Sequence, residues 1–471
     1  MVFRKLFILS IFFVSLLALE QKAWSYNFLY INPTTGAPIG WEPGTTIHYY
    51  VDPGSLGRLT NEQARTLIRA AMDIWENASP YANTPRFVYE GLLPEDVDGT
   101  NFRNYVNLGE CYTNDLTSCE STAQRDLKTV IIFDQDDSIL RGYLCPTGCL
   151  GQSRAGVING TLTSPLSIAQ GMVVLSGAYA SSSSTRVYSI VSLMTHELGH
   201  LLGLAHTSVN QQIIEGDIRG YDRYIPTMYY YSVKTSNLNF PQSQMTLNPD
   251  DVAGITTIYP LASARLNTGT IQGDIFQSDN SAMKDVNVIV RNTEDSLCEA
   301  VSFLSGRICP HGLRAINGLV QGVCYNGDIY TPTGNYTISS LLPGAYTTEV
   351  EEVSNDNLAG SLGLIDPFIL GDAEFWNDGD SVDESNTLSS NINLPVGRAR
   401  DSINIILNRS AVTSDRIRSI PLSMFTVGTG TRCPISPPID YAALVGITES
   451  AGSAGASGNT STSSSGCSLL P

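Results

Sequence analysis

Basic residues are scarce in this 471-residue chain, which contains 27 lysines and arginines against 45 aspartates and glutamates and has a formal net charge of −18. A surface of this charge repels phosphate backbones, so the composition argues against nucleic-acid binding. Charged residues make up only 15% of the chain and apolar residues 42%, with 41 glycines and 23 prolines. These values exclude a coiled coil or a collagen and indicate a globular protein with long loops. The length predicts two or three folded units.

Long apolar runs are also missing, except at the N-terminus. Residues 6–19 are apolar or small, basic residues precede them, and Ala23 and Ser25 place small side chains where a signal peptidase reads them. This pattern is typical of a secretory signal peptide spanning residues 1–25. A membrane anchor is the alternative, although a bilayer span needs about 20 apolar residues. We therefore expect a secreted, extracellular or cell-surface protein with no stable membrane span in the mature chain.

Nine cysteines are expected to form disulfides, because an exported chain meets an oxidising compartment. Cys111 and Cys119, and likewise Cys145 and Cys149, are close enough in sequence to pair locally. A metal or redox site at Cys145 and Cys149 is the alternative, but such a site needs a second cysteine pair or a strand–helix context. The odd number leaves one cysteine over, and Cys467 in the Ser-rich tail is the expected remainder.

Residues 26–262 are predicted to form one α/β (α+β) unit with a mixed twisted sheet, because short β-branched and aromatic runs alternate with amphipathic helices. A helix from Asn61 to Asn77 begins after Thr60, a favourable N-cap, and another begins at Asn248-Pro249 and continues to about Tyr259. The predicted strands cover residues 45–52, 86–90, 129–134 and 171–177, and a further helix runs from about Thr185 into the low 200s.

The sequence changes character after residue 267. Short runs with strand-like alternation, separated by turn residues such as Pro343-Gly344, predict an all-β sandwich over residues 267–410. Residues 411–471 form the predicted tail. Its Ser/Gly-rich stretch from Glu449 to Gly466 cannot bury a core and is expected to be a flexible stalk.

Three of the five histidines fall within the segment His196-Glu-Leu-Gly-His-Leu-Leu-Gly-Leu-Ala-His206. His196 and His200 are four residues apart, so on a helix they point from one face and can share a metal ion. Gly203 can adopt a backbone conformation that ends the helix and returns His206 as a third ligand. Three neutral imidazoles suit Zn²⁺ and leave a fourth position for water, whose pKa the metal lowers to about 7. A buried helix with incidental histidines is the alternative, and the full spacing argues against coincidence.

This segment resembles the HExxHxxGxxH signature of metzincin zinc endopeptidases at every fixed position, and more closely that of their matrixin-like branch. Pro226-Thr-Met-Tyr-Tyr230 is similar to the Met-turn of the family, with Met228 at the methionine position. The sequence from Leu247 to Tyr259 resembles the helix that closes matrixin catalytic domains. The resemblance covers about residues 28–260 and implies a metzincin-type catalytic domain that hydrolyses peptide bonds.

The resemblance also implies roles for individual residues. Glu197 is expected to be the general base, which takes a proton from the attacking water and passes it to the leaving amine. The strand near Leu150 to Ala155 is expected to pair with an extended protein or peptide substrate. Asp251 matches the position that braces the Met-turn, and Tyr230 matches a tyrosine that can contact zinc in astacin- and serralysin-like relatives. For Tyr230 the alternative is an aromatic residue of the cleft wall or core.

Two features depart from the matrixin pattern. The connection from His206 to Met228 spans 22 residues and is longer than usual, so the wall of the cleft is expected to differ from that of the family. No cysteine-switch segment is found, which leaves the means of latency open.

Weaker patterns leave alternatives open. Carboxylate clusters at Asp134 to Asp137 and Asp378 to Glu384 are interpreted either as Ca²⁺ sites or as solvated acidic loops, since neither has EF-hand spacing. Tyr336 to Tyr346 resembles carboxypeptidase-regulatory-like and Ig-like modules, which bind, space or stabilise in secreted enzymes. Ser463 to Ser468 resembles the start of a bacterial C-terminal sorting signal, which would attach the chain to a cell surface. A stray or intermolecular thiol at Cys467 is the alternative.

Together these features predict a secreted zinc-dependent endopeptidase, with His196, His200 and His206 as metal ligands and Glu197 as the base. One alternative is a surface adhesion or binding protein that uses a metalloprotease-like scaffold, but such a scaffold would not need Glu197. A second alternative is a hydrolase with a narrow non-protein target.

Overall fold

The computed structural model describes the chain in segments. These are residues 28–29, 37–105, 129–145, 149–158, 167–182, 185–215, 221–230, 244–277, 279–283, 286–306, 315–316, 319–320, 334–351, 374–378, 389–407, 423, 425–428, 433 and 439–448. The expectations for the signal peptide, for Cys111, Cys119 and Cys467, for the stalk and for Asp380 to Glu384 concern residues outside these segments.

The first half of the chain is built on a five-stranded sheet. Its strands are β1 (Thr46–Val51), β2 (Arg86–Leu92), β3 (Thr129–Asp134), β4 (Gly151–Ile158) and β5 (Ser167–Ser176). Across the sheet the order is β2-β1-β3-β5-β4. Strands β1, β2, β3 and β5 run parallel, and β4 pairs antiparallel with β5 at the edge. The sheet is therefore mixed, as the sequence predicts, and β5 extends further towards its N-terminus than the predicted strand.

Most helices of the described residues lie in the first half of the chain, and one lies near the C-terminus. Those of the described residues are α1 (Asn61–Glu76), α2 (Gly177–Ser181), α3 (Val187–Leu201), α4 (Gln211–Glu215), α5 (Pro249–Ile258), α6 (Ala264–Asn267) and α7 (Tyr441–Leu444). Single turns of 3₁₀ helix cover Phe102–Asn104 and Asp222–Tyr224, and a π-helical turn covers Leu140–Leu144. No helix of the described residues combines the length and apolar character that a membrane crossing requires.

Helix α1 begins where its local sequence predicts. The Thr60 hydroxyl accepts a hydrogen bond from the Gln63 amide, and the Gln63 side chain accepts one from the Thr60 amide. This capping box satisfies two donors that a helix start otherwise leaves unpaired. The apolar face of α1, which includes Leu67, Met72 and Trp75, is buried and packs against α3.

The second half of the chain is a set of β-strands. They are β6 (Gly269–Gln277), β7 (Asn287–Asn292), β8 (Ala300–Leu304), β9 (Ala315–Ile316), β10 (Leu319–Val320), β11 (Asn335–Leu341), β12 (Gly344–Glu351), β13 (Glu374–Phe375), β14 (Ile392–Leu394), β15 (Ala399–Arg400) and β16 (Ile405–Leu407). One sheet has β6 paired with β11, β15 and β16, and a second sheet has the order β13-β12-β7-β8 with β14 beside β12. Strands β9 and β10 pair with each other.

The two larger sheets of this half pack against each other. Strand β11 of the first sheet contacts β8 of the second, and β16 contacts β13. Ile271, Ile338, Val288 and Val350 of these sheets are buried. With the sheet and helices of the first half, this arrangement confirms the predicted mixture of α and β structure. The predicted tail also contains structure, because α7 packs on α3 and the Val445 carbonyl accepts a hydrogen bond from the Gln63 side chain.

Candidate metal centre

Helix α3 carries the first two histidines of the motif. Its apolar stripe, from Val187 through Met194 to Leu201, is buried. Two indoles hold it from other segments, since Trp75 Nε1 donates to the Thr195 carbonyl and Trp41 Nε1 donates to the Leu201 carbonyl, each at 2.8 Å. The helix is therefore anchored both by burial and by polar contacts on either side of its histidines.

The chain reverses directly after α3 at Gly203. This residue has a φ of 101°, a conformation that residues with a side chain rarely adopt, and its amide donates to the His200 carbonyl. The Leu204 amide donates to the Gly199 carbonyl, so the turn folds back on the helix end. The turn returns His206 to the side of the helix that carries His196, as the sequence predicts.

The Nε2 atoms of the three histidines converge on one point. Nε2 of His196 lies 3.1 Å from that of His200 and 3.2 Å from that of His206, and the remaining pair is 3.1 Å apart. Among the described residues this is the only group of three or more histidine, cysteine or carboxylate side chains whose ligand atoms lie within 4.8 Å of one another. The sequence prediction of a three-histidine cluster therefore matches the observed positions.

Backbone carbonyls set the tautomers of the two helical histidines. Nδ1 of His196 donates to the Thr227 carbonyl and Nδ1 of His200 donates to the Leu204 carbonyl, both at 2.7 Å. With the proton on Nδ1, each Nε2 presents a lone pair to the centre of the cluster.

All three imidazoles are neutral at physiological pH. Burial lowers the pKa of His196 to about 4, and burial together with the neighbouring His196 lowers that of His200 to about 3. Burial and the two other histidines place the pKa of His206 well below its usual range. Neutral imidazoles are the form that binds metal ions.

This donor set fits a tetrahedral metal ion. With metal–nitrogen bonds of about 2.0–2.1 Å, two ligands of a tetrahedral site lie about 3.3 Å apart, close to the observed separations. Converging lone pairs of neutral imidazoles repel one another, and a cation between them removes that cost. His196, His200 and His206 could therefore hold a zinc ion, and they leave one coordination position free for water or substrate.

Glu197 is fully buried beside this cluster. It follows His196 on α3, and its carboxylate packs against the start of the edge strand β4. A Cβ atom at Gly151 would lie 2.8 Å from Oε1 of Glu197 and 3.0 Å from Cδ1 of Leu193. Strand β4 can approach α3 this closely because residue 151 has no side chain.

The Met228 side chain packs against helix α3. A Cβ atom at Gly199 would overlap Sδ of Met228 and lie 2.8 Å from the Trp75 ring, so the missing side chain at Gly199 allows the thioether to pack against α3. Met228 is 2% exposed. The turn that carries it also provides the carbonyl that orients His196.

Asp251 fixes this turn from helix α5. Its carboxylate accepts hydrogen bonds from the amides of Thr227, Met228 and Asn248 at 2.8–3.0 Å. Burial raises the pKa of Asp251 to about 6, although these three donors act in the opposite direction. The resemblance assigned this bracing contact to Asp251, and the structure places the carboxylate where it can make it.

Tyr230 lies beside the third histidine. Its ring centroid is 6.3 Å from that of His206 and 5.0 Å from that of Tyr229. It also belongs to a buried cluster with Leu297 and Cys298 of the second half of the chain. Its position is compatible with both interpretations of the sequence, a contact with the metal and a wall aromatic.

Asp134 and Asp137, which the sequence interprets either as Ca²⁺ ligands or as part of a solvated acidic loop, are bonded to backbone and side-chain donors of the protein. Asp134 accepts hydrogen bonds from the amides of Ile139 and Leu140, and Asp137 accepts from Ser176 Oγ and pairs with Arg141. These contacts hold the loop that follows β3 in its conformation.

The described cysteines do not pair as their spacing suggests. Cys145 and Cys149, which are close enough in sequence to pair locally, form no disulfide with each other and are both buried in an apolar cluster of the first half. Cys298 forms a disulfide with Cys433, 135 residues away, and sequence spacing gave no indication of this pair.

Several residues that shape the site carry no local sequence signal. Thr227 and Leu204 act through backbone carbonyls, so their side chains reveal nothing about the role. Gly151 gives a weak signal, because a glycine at the start of a strand can mark the close approach of another element.

Comparisons with known proteins add little to this picture. No family model matches the chain, and no curated protein matches it. The chain is similar to OgpA from Akkermansia muciniphila in its crystal structure, at 10% sequence identity and a TM-score of 0.22, over 67% of this chain and 90% of that one. A TM-score of this size does not establish a common fold.

Proposed function

We propose that this chain is a secreted zinc-dependent endopeptidase with a matrixin-like metzincin catalytic domain and a C-terminal Ig-like β-sandwich. One observation carries the proposal. The Nε2 atoms of His196, His200 and His206 lie within 3.2 Å of one another, and the helix that holds two of them also holds the buried Glu197. Three imidazoles with one open position are a donor set typical of catalytic zinc.

The proposed chemistry divides between the metal and the protein. Zinc bound here would supply Lewis acidity towards the scissile carbonyl and lower the pKa of water to about 7. The three histidines would hold it through their Nε2 atoms, and the carbonyls of Thr227 and Leu204 keep those of His196 and His200 free of protons. The Glu197 carboxylate accepts a proton from the attacking water and delivers it to the amine nitrogen as the peptide C–N bond breaks. The carboxylate is thereby regenerated for the next turnover.

Strand β4 is the proposed docking edge for a protein or peptide substrate. It is the last strand in the sheet order, and its first residue, Gly151, lies against Glu197. An extended polypeptide that adds to this edge would run past the base and the histidines. Substrate recognition would then rest mainly on backbone hydrogen bonds, with side-chain preference set by the cleft wall after His206.

Export is part of the same proposal. The signal-like segment over residues 1–25 and the acidic net charge of −18 support it. The Cys298–Cys433 disulfide is in keeping with an oxidising compartment.

The rival proposal is a surface binding protein on a metalloprotease-like scaffold. Such a protein would require the three histidines for stability but no base beside them. The burial of Glu197 and the close approach of Gly151 support the enzyme over the scaffold, because they keep an ionisable group in a costly position.

The test is cleavage of a reduced, unfolded protein by the purified mature chain loaded with zinc, with Glu197→Gln as the matched variant. We expect the parent to produce internal cleavages, read as new N-termini by mass spectrometry. The variant should bind one zinc ion and lose activity by several orders of magnitude, since it keeps the shape of the side chain but cannot accept the proton. A parent that binds zinc and cleaves no polypeptide would overturn the endopeptidase assignment, and equal turnover by the variant would overturn Glu197 as the base.

A further inference from the structure

The segment that follows His206 is held by the β-sandwich. The Thr207 hydroxyl lies 3.0 Å from the Ser302 hydroxyl of β8, and the Ser302 amide donates to the Asp250 carboxylate. The Ser208 carbonyl accepts a hydrogen bond from the side chain of Asn287 at the start of β7. Consecutive residues after the third histidine therefore contact neighbouring strands of the second half.

Apolar packing reinforces these polar contacts. Val209 forms a small buried cluster with Ile289 of β7 and Ala300 of β8. All three side chains are at most 1% exposed. The short connection between His206 and α4 is thus enclosed by the sandwich and does not lie open to solvent.

Asn210 links the two halves through three side-chain hydrogen bonds. Its side-chain amide donates to the carbonyls of Tyr224 and Leu297 at 2.8 and 2.9 Å, and its Oδ1 accepts from Arg291 at 2.7 Å. The backbone φ of Asn210 is 58°, in the left-handed region that asparagine tolerates better than most residues. One fully buried side chain therefore fixes three separate segments of the chain at a tight turn.

Arg291 reaches this turn from inside the sandwich. It is 1% exposed, its Nε donates to the Glu349 carboxylate at 2.5 Å, and its guanidinium carbon lies 4.2 Å from the centroid of the Phe425 ring. A second bond joins Arg291 to the Ser296 carbonyl. A buried charge is expensive unless it is paired, and here Glu349 supplies the opposite charge while Asn210 and the Ser296 carbonyl accept further hydrogen bonds.

We propose that the β-sandwich is a structural part of the metal centre and that Arg291 is a positioning residue for His206. This inference rests on the proposed zinc site. His196 and His200 are fixed by α3, whereas His206 lies beyond the helix end, where no helical hydrogen bonds hold the backbone. A ligand must be held to within about 0.5 Å to bind zinc well, and the contacts through Thr207, Val209 and Asn210 supply that restraint from the sandwich.

The experiment measures zinc affinity by competition with a chromophoric chelator for the parent and for the double variant Arg291→Met/Glu349→Met. The double change removes both buried charges together and replaces them with side chains of similar volume, which avoids an unpaired charge. Arg398→Met, on an exposed arginine of the same half, is the matched control. Ser302→Ala is a milder second variant, which removes only the hydroxyl that faces Thr207. Thermal unfolding of the metal-free proteins is followed in parallel.

We expect the dissociation constant for zinc to rise on the order of tenfold in the double variant, and by a smaller factor in Ser302→Ala, with Arg398→Met unchanged. The Co²⁺-substituted double variant should show an altered visible absorption spectrum, because ligand geometry at the third histidine changes. If the double variant does not fold, Ser302→Ala decides alone. A folded variant with the affinity and Co²⁺ spectrum of the parent would overturn the inference while leaving the zinc site intact. A parent that binds no zinc would overturn both the proposed function and this inference.

Discussion

Gly151 and Glu197 are in direct contact: a Cβ atom at Gly151 would lie 2.8 Å from Oε1 of the glutamate. The contact joins the start of the edge strand β4 to helix α3. The contact fixes the distance between the proposed base, Glu197, and the proposed substrate-binding edge. The small size of residue 151 therefore sets the position of both.

Gly151→Ala is therefore expected to displace the Glu197 carboxylate without removing any metal ligand. We predict a fall in kcat on the order of 100-fold, as an error of about 1 Å in catalytic geometry produces, with zinc stoichiometry unchanged. The measurements are kcat for peptide hydrolysis and the zinc content of the same preparation.

Gly142→Ala is the control for this substitution, because nothing lies within 4 Å of a Cβ atom built there. It should retain full activity. An active Gly151→Ala enzyme would show that the glutamate has room to shift and that the contact is not restrictive.

His200→Ala should abolish both zinc binding and hydrolysis. The substitution removes one of three ligands and leaves a two-histidine site that cannot hold zinc at a comparable affinity. His48→Ala is the matched control, since His48 is exposed and hydrogen-bonded to Glu90. Zinc content after dialysis is the measurement. One equivalent of tightly bound zinc in purified His200→Ala would exclude His200 as a required ligand.

Asp251→Asn tests the link from helix α5 to His196. The asparagine has one acceptor oxygen in place of two, so an N–H of its amide would face the amide of Thr227 or Met228. We expect a loss of about 1–3 kcal/mol in the free energy of unfolding, from a buried donor left unpaired. Zinc affinity should fall about tenfold as the Thr227 carbonyl shifts away from His196 Nδ1. Chemical denaturation and chelator competition give the two values, and parent-like results in both would contradict the bracing role.

Asp52 gives a pH-dependent prediction away from the histidines. Burial raises its pKa from 3.8 to about 7, with a contribution in the same direction from Asp96 and opposing hydrogen bonds from the amides of Gly54 and Val97. Because the folded-state pKa is raised, the protonated form favours folding. Its contribution to stability is present in full below pH 3.8 and is lost as the pH rises through about 7.

Asp52→Asn mimics the protonated form and should not show this loss. We expect the difference between the Tm of the variant and that of the parent to increase in favour of the variant as the pH rises from 5 to 8. Asp96→Asn removes a neighbour that helps to raise the pKa of Asp52, so the loss of stability should occur at slightly lower pH than in the parent. The shift should be small, because burial is the larger cause of the raised pKa. A Tm difference between Asp52→Asn and parent that stays constant with pH would refute the shifted pKa.

Elements with strong local signals were predictable. The N-cap at Thr60 and the Asn248-Pro249 start each locate the beginning of a helix to within a residue, because the atoms that begin a helix come from neighbouring positions. The Thr129–Asp134 strand has the bounds that its apolar run predicts. The N-terminal part of β5 was not predicted, because Ser167 to Gln170 lacks a β-branched or aromatic run and gains its strand conformation from pairing with β4.

The sequence by itself determined the group of candidate ligands, because a helix places residues four apart on one face and Gly203 then turns the chain back within three residues of His206. Only the tertiary structure decided what surrounds them. The carbonyl of Thr227, the missing side chain at Gly151 and the contact of Arg291 with Asn210 join segments that are 31 to 81 residues apart or act without a side chain. Such contacts depend on how separate elements pack, and no spacing within one element can specify them.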